Sequence, residues 1–333
     1  MSAELITYRQ NRVNALINAY RTNVSRLYSI YVANVANIQK GRMPLHTKRI
    51  QINNLTANYN TNAKILLDNT NKNIAIIKKY IPPTLKINKK KNALLVGINY
   101  IGTPAQLNGC INDVNSIKER ITQKGFQNIS MLTDLTSEKP TKANILKEFT
   151  KLLSNAQAGD LLFFLYSGHG TYDLDQNGDE NTIYDQLIIP CDFNPIVDDE
   201  LKQIIQTNLK KNVTLFAMFD SCFSGSVLDL KYQYMDSLNY DNFTENEKQL
   251  ETNGNVFMIS GCNDYQTSTD AIINNKANGA MTWSLIEALK QNDKCSWREL
   301  LTLMRSLLKT SQYEQIPQFS SGLFENIDAQ VFI

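Results

Sequence analysis

Phosphate-binding glycine loops are missing from this chain of 333 residues: neither Gly-x-Gly-x-x-Gly nor Gly-x4-Gly-Lys-Ser/Thr stands at a strand–helix junction. Nucleotide binding is therefore not indicated. Cysteines are few and odd in number: Cys110, Cys191, Cys222, Cys262 and Cys295, with no Cys-x-x-Cys spacing. That pattern argues against both a disulfide framework and a structural zinc site. No apolar run is long enough for a membrane span, and Met1-Ser2-Ala3-Glu4-Leu5 offers neither a basic n-region nor an apolar h-region, so export is not expected. A reducing, cytoplasmic compartment fits these absences. There is no internal repeat, and histidine is nearly absent, with two in the whole chain.

Acidic residues are scarce at one end only. Residues 1–92 hold 16 Lys and Arg against Glu4 and Asp68, a net +14, while the remainder holds 18 against 30, a net −12. A basic segment is thus joined to an acidic body, and Ile81-Pro82-Pro83-Thr84 followed by Lys89-Lys90-Lys91 supplies the boundary, placed at residue 86. Within the basic segment Val13, Leu16, Ile17, Tyr20, Val24, Leu27, Tyr31, Val35 and Ile38 recur at helical steps. Gly41-Arg42-Met43-Pro44 interrupts them, and a second stripe runs through Ile52, Leu55, Tyr59, Leu66, Ile74 and Ile77. The pattern predicts a helical hairpin over residues 1–86, a regulatory or adaptor segment. Its basic face reads as a solvated surface, so nucleic acid is not an expected partner.

With 42% hydrophobic and 20% charged residues, the rest suffices for one large α/β domain, residues 87–333. Apolar runs predict strands at Ala93–Asn99, Ile129–Thr133, Leu161–Tyr166, Val213–Phe219, Val256–Gly261 and Gln330–Ile333. Helices are expected at Ile111–Gln123, Lys142–Asn155, Glu200–Asn208, Ala280–Gln291 and Trp297–Lys309. This alternation implies a mostly parallel sheet flanked by helices.

Two of these strands end on reactive side chains. Leu161-Leu162-Phe163-Phe164-Leu165-Tyr166 runs into Ser167-Gly168-His169-Gly170, and Val213-Thr214-Leu215-Phe216-Ala217-Met218-Phe219 into Asp220-Ser221-Cys222-Phe223-Ser224-Gly225. Unbroken apolar runs are strands buried on both faces of a parallel sheet, and their carboxyl edge is where open α/β sheets bind ligands. A histidine after a strand also serves as a capping or packing residue, and a buried cysteine as a small hydrophobe. Two complementary partners delivered to one edge favour a Cys/His nucleophile pair.

In order along the chain, Ala93–Tyr100, Leu107-Asn108-Gly109-Cys110-Ile111-Asn112-Asp113, Gly159-Asp160 through Gly170, Asp220-Ser221-Cys222, and Ser260-Gly261-Cys262-Asn263-Asp264-Tyr265-Gln266-Thr267-Ser268 make the chain resemble a type I metacaspase from about Lys91 onward. It departs from that family in having Phe223 where His is usual, and in lacking a Pro/Gln-rich leading segment. The resemblance implies a caspase-like fold with a large-subunit-like part to about residue 231, a linker over 232–254 and a small-subunit-like part over 255–333. It implies Cys222 as nucleophile, His169 as the base that forms the thiolate and reprotonates the leaving amine, and the N–H groups of Gly170 and Cys222 as oxyanion donors. No carboxylate partner for His169 is needed in that family.

Further implications concern specificity and a cation. Positions matching Cys110, Asp113, Ser167 and Asp220 line a pocket for Arg or Lys before the cut, whereas the plain readings of Asp113 and Asp220 are a helix cap and a strand terminator. The family's calcium site matches Asp185, Asp198, Asp199 and Asp229, expected as hard ligands from separate loops. Asp173-x-Asp175-x-Asn177-Gly178 resembles the start of an EF-hand, but Tyr184 replaces the twelfth-position Glu. Residues 231–255 read as an exposed polar loop, so Lys231 and Lys248, together with Lys86 and Lys91, are candidate self-cleavage sites or plain solvated lysines. The expectation is a calcium-stimulated cysteine endopeptidase acting on proteins and peptides after Arg or Lys, with a monomeric catalytic domain. The competing reading is an inactive caspase-like scaffold acting through its N-terminal helical region.

Overall fold

The computed structural model describes residues 3–79, 90–174, 184–222, 227–234, 244–246, 248–261, 270–273, 276–313, 315–324, 327 and 330–333. They form two compact units, the two N-terminal helices and everything from Lys90 onward.

The first unit is a helical hairpin of α1 (Ala3–Lys40) and α2 (Leu45–Lys79). Gly41 closes α1, its N–H reaching the Asn37 carbonyl at 3.1 Å, and Pro44 opens α2 by accepting from Lys48 N–H at 3.0 Å. Proline is tolerated there because the first amides of a helix have no internal partner to lose. Tyr31 and Tyr59 meet across the pair at 5.1 Å, and the Tyr31 and Thr56 hydroxyls lie 3.0 Å apart. No described helix is long and apolar enough to cross a membrane.

The second unit opens with β1 (Lys91–Gly97), α3 (Cys110–Gln123), β2 (Asn128–Thr133), α4 (Lys142–Ser154) and β3 (Leu161–Ser167). A small side sheet follows, β4 (Gly170–Leu174), β5 (Tyr184–Ile188) and β6 (Ile196–Val197), leading into α5 (Asp198–Asn208) and β7 (Thr214–Asp220). The chain continues through β8 (Tyr232–Tyr234), β9 (Thr244–Glu245), β10 (Asn255–Ser260), a hairpin of β11 (Asp270–Ile273) and β12 (Lys276–Gly279), α6 (Ala280–Gln291), α7 (Trp297–Thr310) and β13 (Gln318–Ser321).

Eight strands build the main sheet in the order β2-β1-β3-β7-β10-β13-β8-β9, the first five parallel to one another and the last three joined antiparallel. Every residue of β3, β7 and β10 is buried, as apolar runs covered on both faces must be. Strand alternation sorts the side chains. Leu94, Val96, Phe164, Ala217 and Met258 share a cluster with Ile145 and Phe149 of α4 and Leu201 and Ile205 of α5. From the other face Phe216 and Phe257 meet Trp297 of α7 at 5.1 and 5.3 Å.

Three expectations need correction. The sixth core strand is Gln318–Ser321 rather than Gln330–Ile333; at the C-terminus only Gln330 bridges, to Ser296, and Phe332 packs on Phe216 and Trp297 instead of pairing. The stretch after Lys231 is not simply an exposed loop, since β8 extends the sheet and buries Tyr232 and Tyr234, whose period-two spacing puts both rings on the covered face. Finally, Asp198 and Asp199 are not loop residues. They form the first turn of α5, where the helix dipole favours carboxylates.

Candidate active site

The register of two central strands brings the reactive residues together. β3 and β7 run parallel with Ser167 opposite Asp220 as their last pair, and His169 and Cys222 each lie two residues beyond it. Gly168 N–H reaches the Asp220 carbonyl at 3.4 Å, extending the contact past the strands. A Cβ on Gly170 would fall 2.2 Å from the Cys222 carbonyl oxygen and 3.2 Å from Ser221 Cβ, so the two main chains touch here and only glycine fits. Cys222 is a half-buried cysteine in the turn after β7. Phe223 and the block Cys262–Ser268 lie outside the described residues.

His169 is oriented by main-chain groups. Its Nε2 is 2.8 Å from the Ala105 carbonyl, which accepts only, so the bond assigns the ring proton to Nε2 and leaves Nδ1 as the basic nitrogen. The Tyr100 ring lies against the imidazole at 4.7 Å. Nothing in the sequence singles out Ala105, because it contributes a backbone oxygen that any residue would supply.

Beside this pair two carboxylates converge. Asp113, in the first turn of α3, and Asp220, ending β7, are both buried. Ser167 Oγ donates to Asp113 Oδ2 at 2.8 Å, and Gly279 N–H reaches the two Asp113 oxygens at 2.9 and 3.1 Å. Asp220 Oδ2 accepts from Thr282 N–H at 2.9 Å and Thr282 Oγ1 at 2.7 Å. Because Thr282 belongs to the first turn of α6, Asp220 supplies from a distance the acceptor that this helix start lacks. A Cβ on Gly279 would stand 2.1 Å from Asp220 Oδ2 and 2.8 Å from Asp113 Oδ2. Glycine is therefore required where the two carboxylates meet. Cys110 is buried at the start of α3, its N–H donating to Asn99 Oδ1 at 3.0 Å. Gly279 and Thr282 escaped the sequence reading; a glycine and a threonine spanning a helix start were the available signal.

A second acidic group lies on α5 and its neighbours. Oxygens of Asp198, Asp199 and Asp229 all fall within 4.8 Å of one another. Asp198 Oδ2 accepts from Gln186 N–H at 2.6 Å and Oδ1 from Asp199 N–H at 2.9 Å. Burial, then the charges of Asp229 and Asp185, push the Asp198 carboxyl up to about 8 despite those two bonds. Lys202 brings one positive charge, 3.6 Å from Asp229 and 3.7 Å from Asp199. Asp198, Asp199 and Asp229 thus form a hard-oxygen donor set of the kind that suits a divalent cation, whereas Asp185, which acts on Asp198 through its charge, is not brought into the group. Asp173 pairs with Asp185 across β4 and β5, and Asp175, Asn177 and Gly178 lie outside the described residues.

Of the lysines considered for self-cleavage, Lys91 begins β1 with its ammonium on the Lys124 carbonyl at 2.6 Å, and Lys231 pairs with Glu245 at 3.5 Å. Lys248 is exposed, and Lys86 lies outside the described residues.

Comparison with known proteins gives these residues a context. A family model described as metacaspase, peptidase C14 domain, matches residues 91–231. Metacaspase-1A of Aspergillus terreus is 39% identical over 283 residues, covering 69% of this chain and 70% of that protein. Metacaspase-1 of Emericella nidulans is 38% identical over 285 residues, covering 70% of each. The crystal structure of protein GSU0716 from Geobacter sulfurreducens superposes with a TM-score of 0.54 at 24% identity, over 72% of this chain and 95% of that one. That likeness concerns the fold alone.

Proposed function

Because this chain belongs to the type I metacaspases, a family of caspase-like cysteine peptidases, we propose that it is a calcium-stimulated endopeptidase cutting proteins and peptides after Arg or Lys. The observation that carries this reading is the Ser167–Asp220 register pair, which delivers an oriented imidazole and a thiol to one sheet edge. The thiol of Cys222 passes its proton to Nδ1 of His169, and the thiolate attacks the scissile carbonyl carbon. The oxyanion faces the N–H groups of Gly170 and Cys222, whose main chains lie together. The imidazolium then gives its proton to the leaving amine as the C–N bond breaks. Water, deprotonated by the same imidazole, hydrolyses the thioester.

Asp113 and Asp220, with Ser167 and Cys110 beside them, form the pocket for the substrate cation. A guanidinium offers charge-assisted bonds to carboxylate lone pairs that Gly279 and Thr282 have already aimed. Hydrolysis of an Arg-terminated fluorogenic peptide by the full chain with calcium tests the whole reading. An inert wild type under every calcium condition would promote the scaffold instead.

Asp198, Asp199 and Asp229, joined by Asp185, would hold the calcium, which when bound neutralises carboxylates that otherwise repel one another. Asp198→Asn with Asp199→Asn keeps an oxygen acceptor for one of the two N–H groups that bond residue 198, turns an amide NH2 toward the other, and withdraws both carboxylates from the group. This double variant is expected to stay folded and lose calcium stimulation, measured as activity with calcium over activity with chelator. A full calcium response in the double variant would move the site to the Asp173–Asp179 loop.

The N-terminal hairpin, residues 1–86, net basic where the rest is net acidic, we assign as an accessory segment regulating the body. A chain starting at Lys86 is expected to fold and to cleave at least as fast as the full protein. An insoluble product would make the hairpin's apolar stripe part of the core. Self-cleavage is assigned to Lys86, Lys91, Lys231 or Lys248. Sequencing new N-termini after calcium addition reads this directly.

A further inference from the structure

We propose that Tyr100 and Tyr166 are positioning residues that clamp the His169 main chain and thereby aim its imidazole at the thiol, an assignment that rests on His169 acting as the base. Both rings are buried, with 2% and 0% of their surface exposed, and their hydroxyls lie 3.3 Å apart. His169 N–H donates to Tyr100 Oη at 2.9 Å, and the His169 carbonyl accepts from Tyr166 Oη at 2.8 Å. One hydroxyl therefore holds each side of the same residue.

Both hydroxyl protons have carbonyl acceptors in this cluster. Tyr100 Oη–H donates to the Ile189 carbonyl at 2.5 Å while accepting from His169 N–H. Tyr166 Oη–H donates to the His169 carbonyl while accepting from Ile189 N–H at 3.1 Å. Tyr166 Oη also lies 2.9 Å from the Ile189 carbonyl, so that oxygen meets both phenols, and Ile189 N–H reaches the His169 carbonyl at 3.0 Å. Two chain segments, after β3 and after β5, are tied through two phenols. Desolvation raises both phenols above their ordinary range, so they remain protonated donors wherever the enzyme would work.

Two further contacts fix the ring itself. Tyr100 lies tilted against the imidazole at 4.7 Å, itself backed by Phe193 at 5.8 Å, and Ala105, in the same loop as Tyr100, accepts the Nε2 proton. Tyr100 sits at φ 51, a left-handed conformation that costs a bulky residue energy and persists only where its surroundings over-determine it. Thr103 secures it, with N–H and Oγ1 both donating to the Tyr100 carbonyl, at 3.1 and 2.8 Å. Gly168 completes the clamp, since a Cβ there would fall 2.8 Å from Tyr166 Oη and 2.9 Å from Tyr100 Oη.

Neither tyrosine lies among the pocket residues, so loss of a hydroxyl should slow the chemistry without weakening substrate binding. Tyr100→Phe and Tyr166→Phe keep the rings and delete one bridge each. With the full chain, calcium and an Arg-terminated peptide, each is expected to lower kcat by about 10- to 100-fold, with KM within about twofold of wild type. The double variant should fall short of the product of the two, because the hydroxyls hold one residue. A second readout needs no turnover: His46 is the only other histidine, so the ring-nitrogen spectrum can be assigned. Wild type should show a bare Nδ1 and a protonated Nε2 for His169, and the variants a mixture of tautomers. Should one variant fail to fold, the other still removes one side of the clamp. Unchanged kcat with an unchanged tautomer, or a loss confined to KM, would overturn the assignment. A wild type that does not cleave would instead count against the peptidase reading, leaving the tautomer to decide the clamp.

Discussion

Cys222→Ala is expected to bring cleavage of an Arg-terminated fluorogenic peptide to the no-enzyme background, a fall of at least roughly 1000-fold, because it removes the nucleophile and with it the covalent route. His169→Ala should come close behind, since general acid–base transfer by a placed side chain supplies about 10²- to 10⁴-fold. The comparison is informative because two of the other described cysteines, Cys191 and Cys295, are held above the ordinary thiol range, chiefly by burial. A thiol raised in this way is a poor nucleophile. Activity surviving in Cys222→Ala would mean that another residue, or no residue of this chain, does the chemistry.

Asp113→Asn carries the second large effect. The amide keeps an acceptor for Gly279 N–H and Ser167 Oγ, so the pocket wall should stand, but the charge that recognises the substrate's cation is gone. Losing one partner of a desolvated charge pair costs roughly 2–5 kcal/mol, which is about a 30-fold to several-thousand-fold fall in kcat/KM for Arg substrates. Uncharged substrates should lose little, so the ratio of Arg to Leu cleavage is the quantity to measure. Asp113→Ala should be worse in both respects, because it also leaves two buried donors unsatisfied at about 1–3 kcal/mol each. An unchanged Arg preference, or a preference for cleavage after Asp, would return Asp113 to a purely structural role tying α3 to β12.

What the sequence made legible follows the physics of each element. β3, β7 and β10 announce themselves because strands covered on both faces must be apolar at every position, and Leu161–Tyr166 or Val213–Phe219 leaves no other reading. His169 and Cys222 are legible for the same reason, as the polar residues that end such runs. β8 and β13 were not, because short antiparallel strands such as Tyr232–Tyr234 and Gln318–Ser321 alternate polar with aromatic and look like surface loops. Ala105 was invisible because it acts through its carbonyl. Gly279 and Thr282 were hidden by distance: their partners Asp113 and Asp220 lie 166 and 62 residues away in sequence, and the bonds run to backbone amides. The family resemblance pointed to Asp198, Asp199 and Asp229, which the fold groups, but not to their setting, since the helix start at Asp198 is revealed only by packing.

The most direct measurement is mass spectrometry of the full chain after treatment with an irreversible Arg-directed ketone, with calcium and with chelator. A single adduct on Cys222 in the calcium sample, much reduced with chelator and absent from Cys222→Ala, is the predicted result. It joins thiol reactivity, Arg recognition and calcium response in one residue. An adduct on a different cysteine, or none under either condition while the protein is folded, would contradict the assignment of this sheet edge as a metacaspase active site.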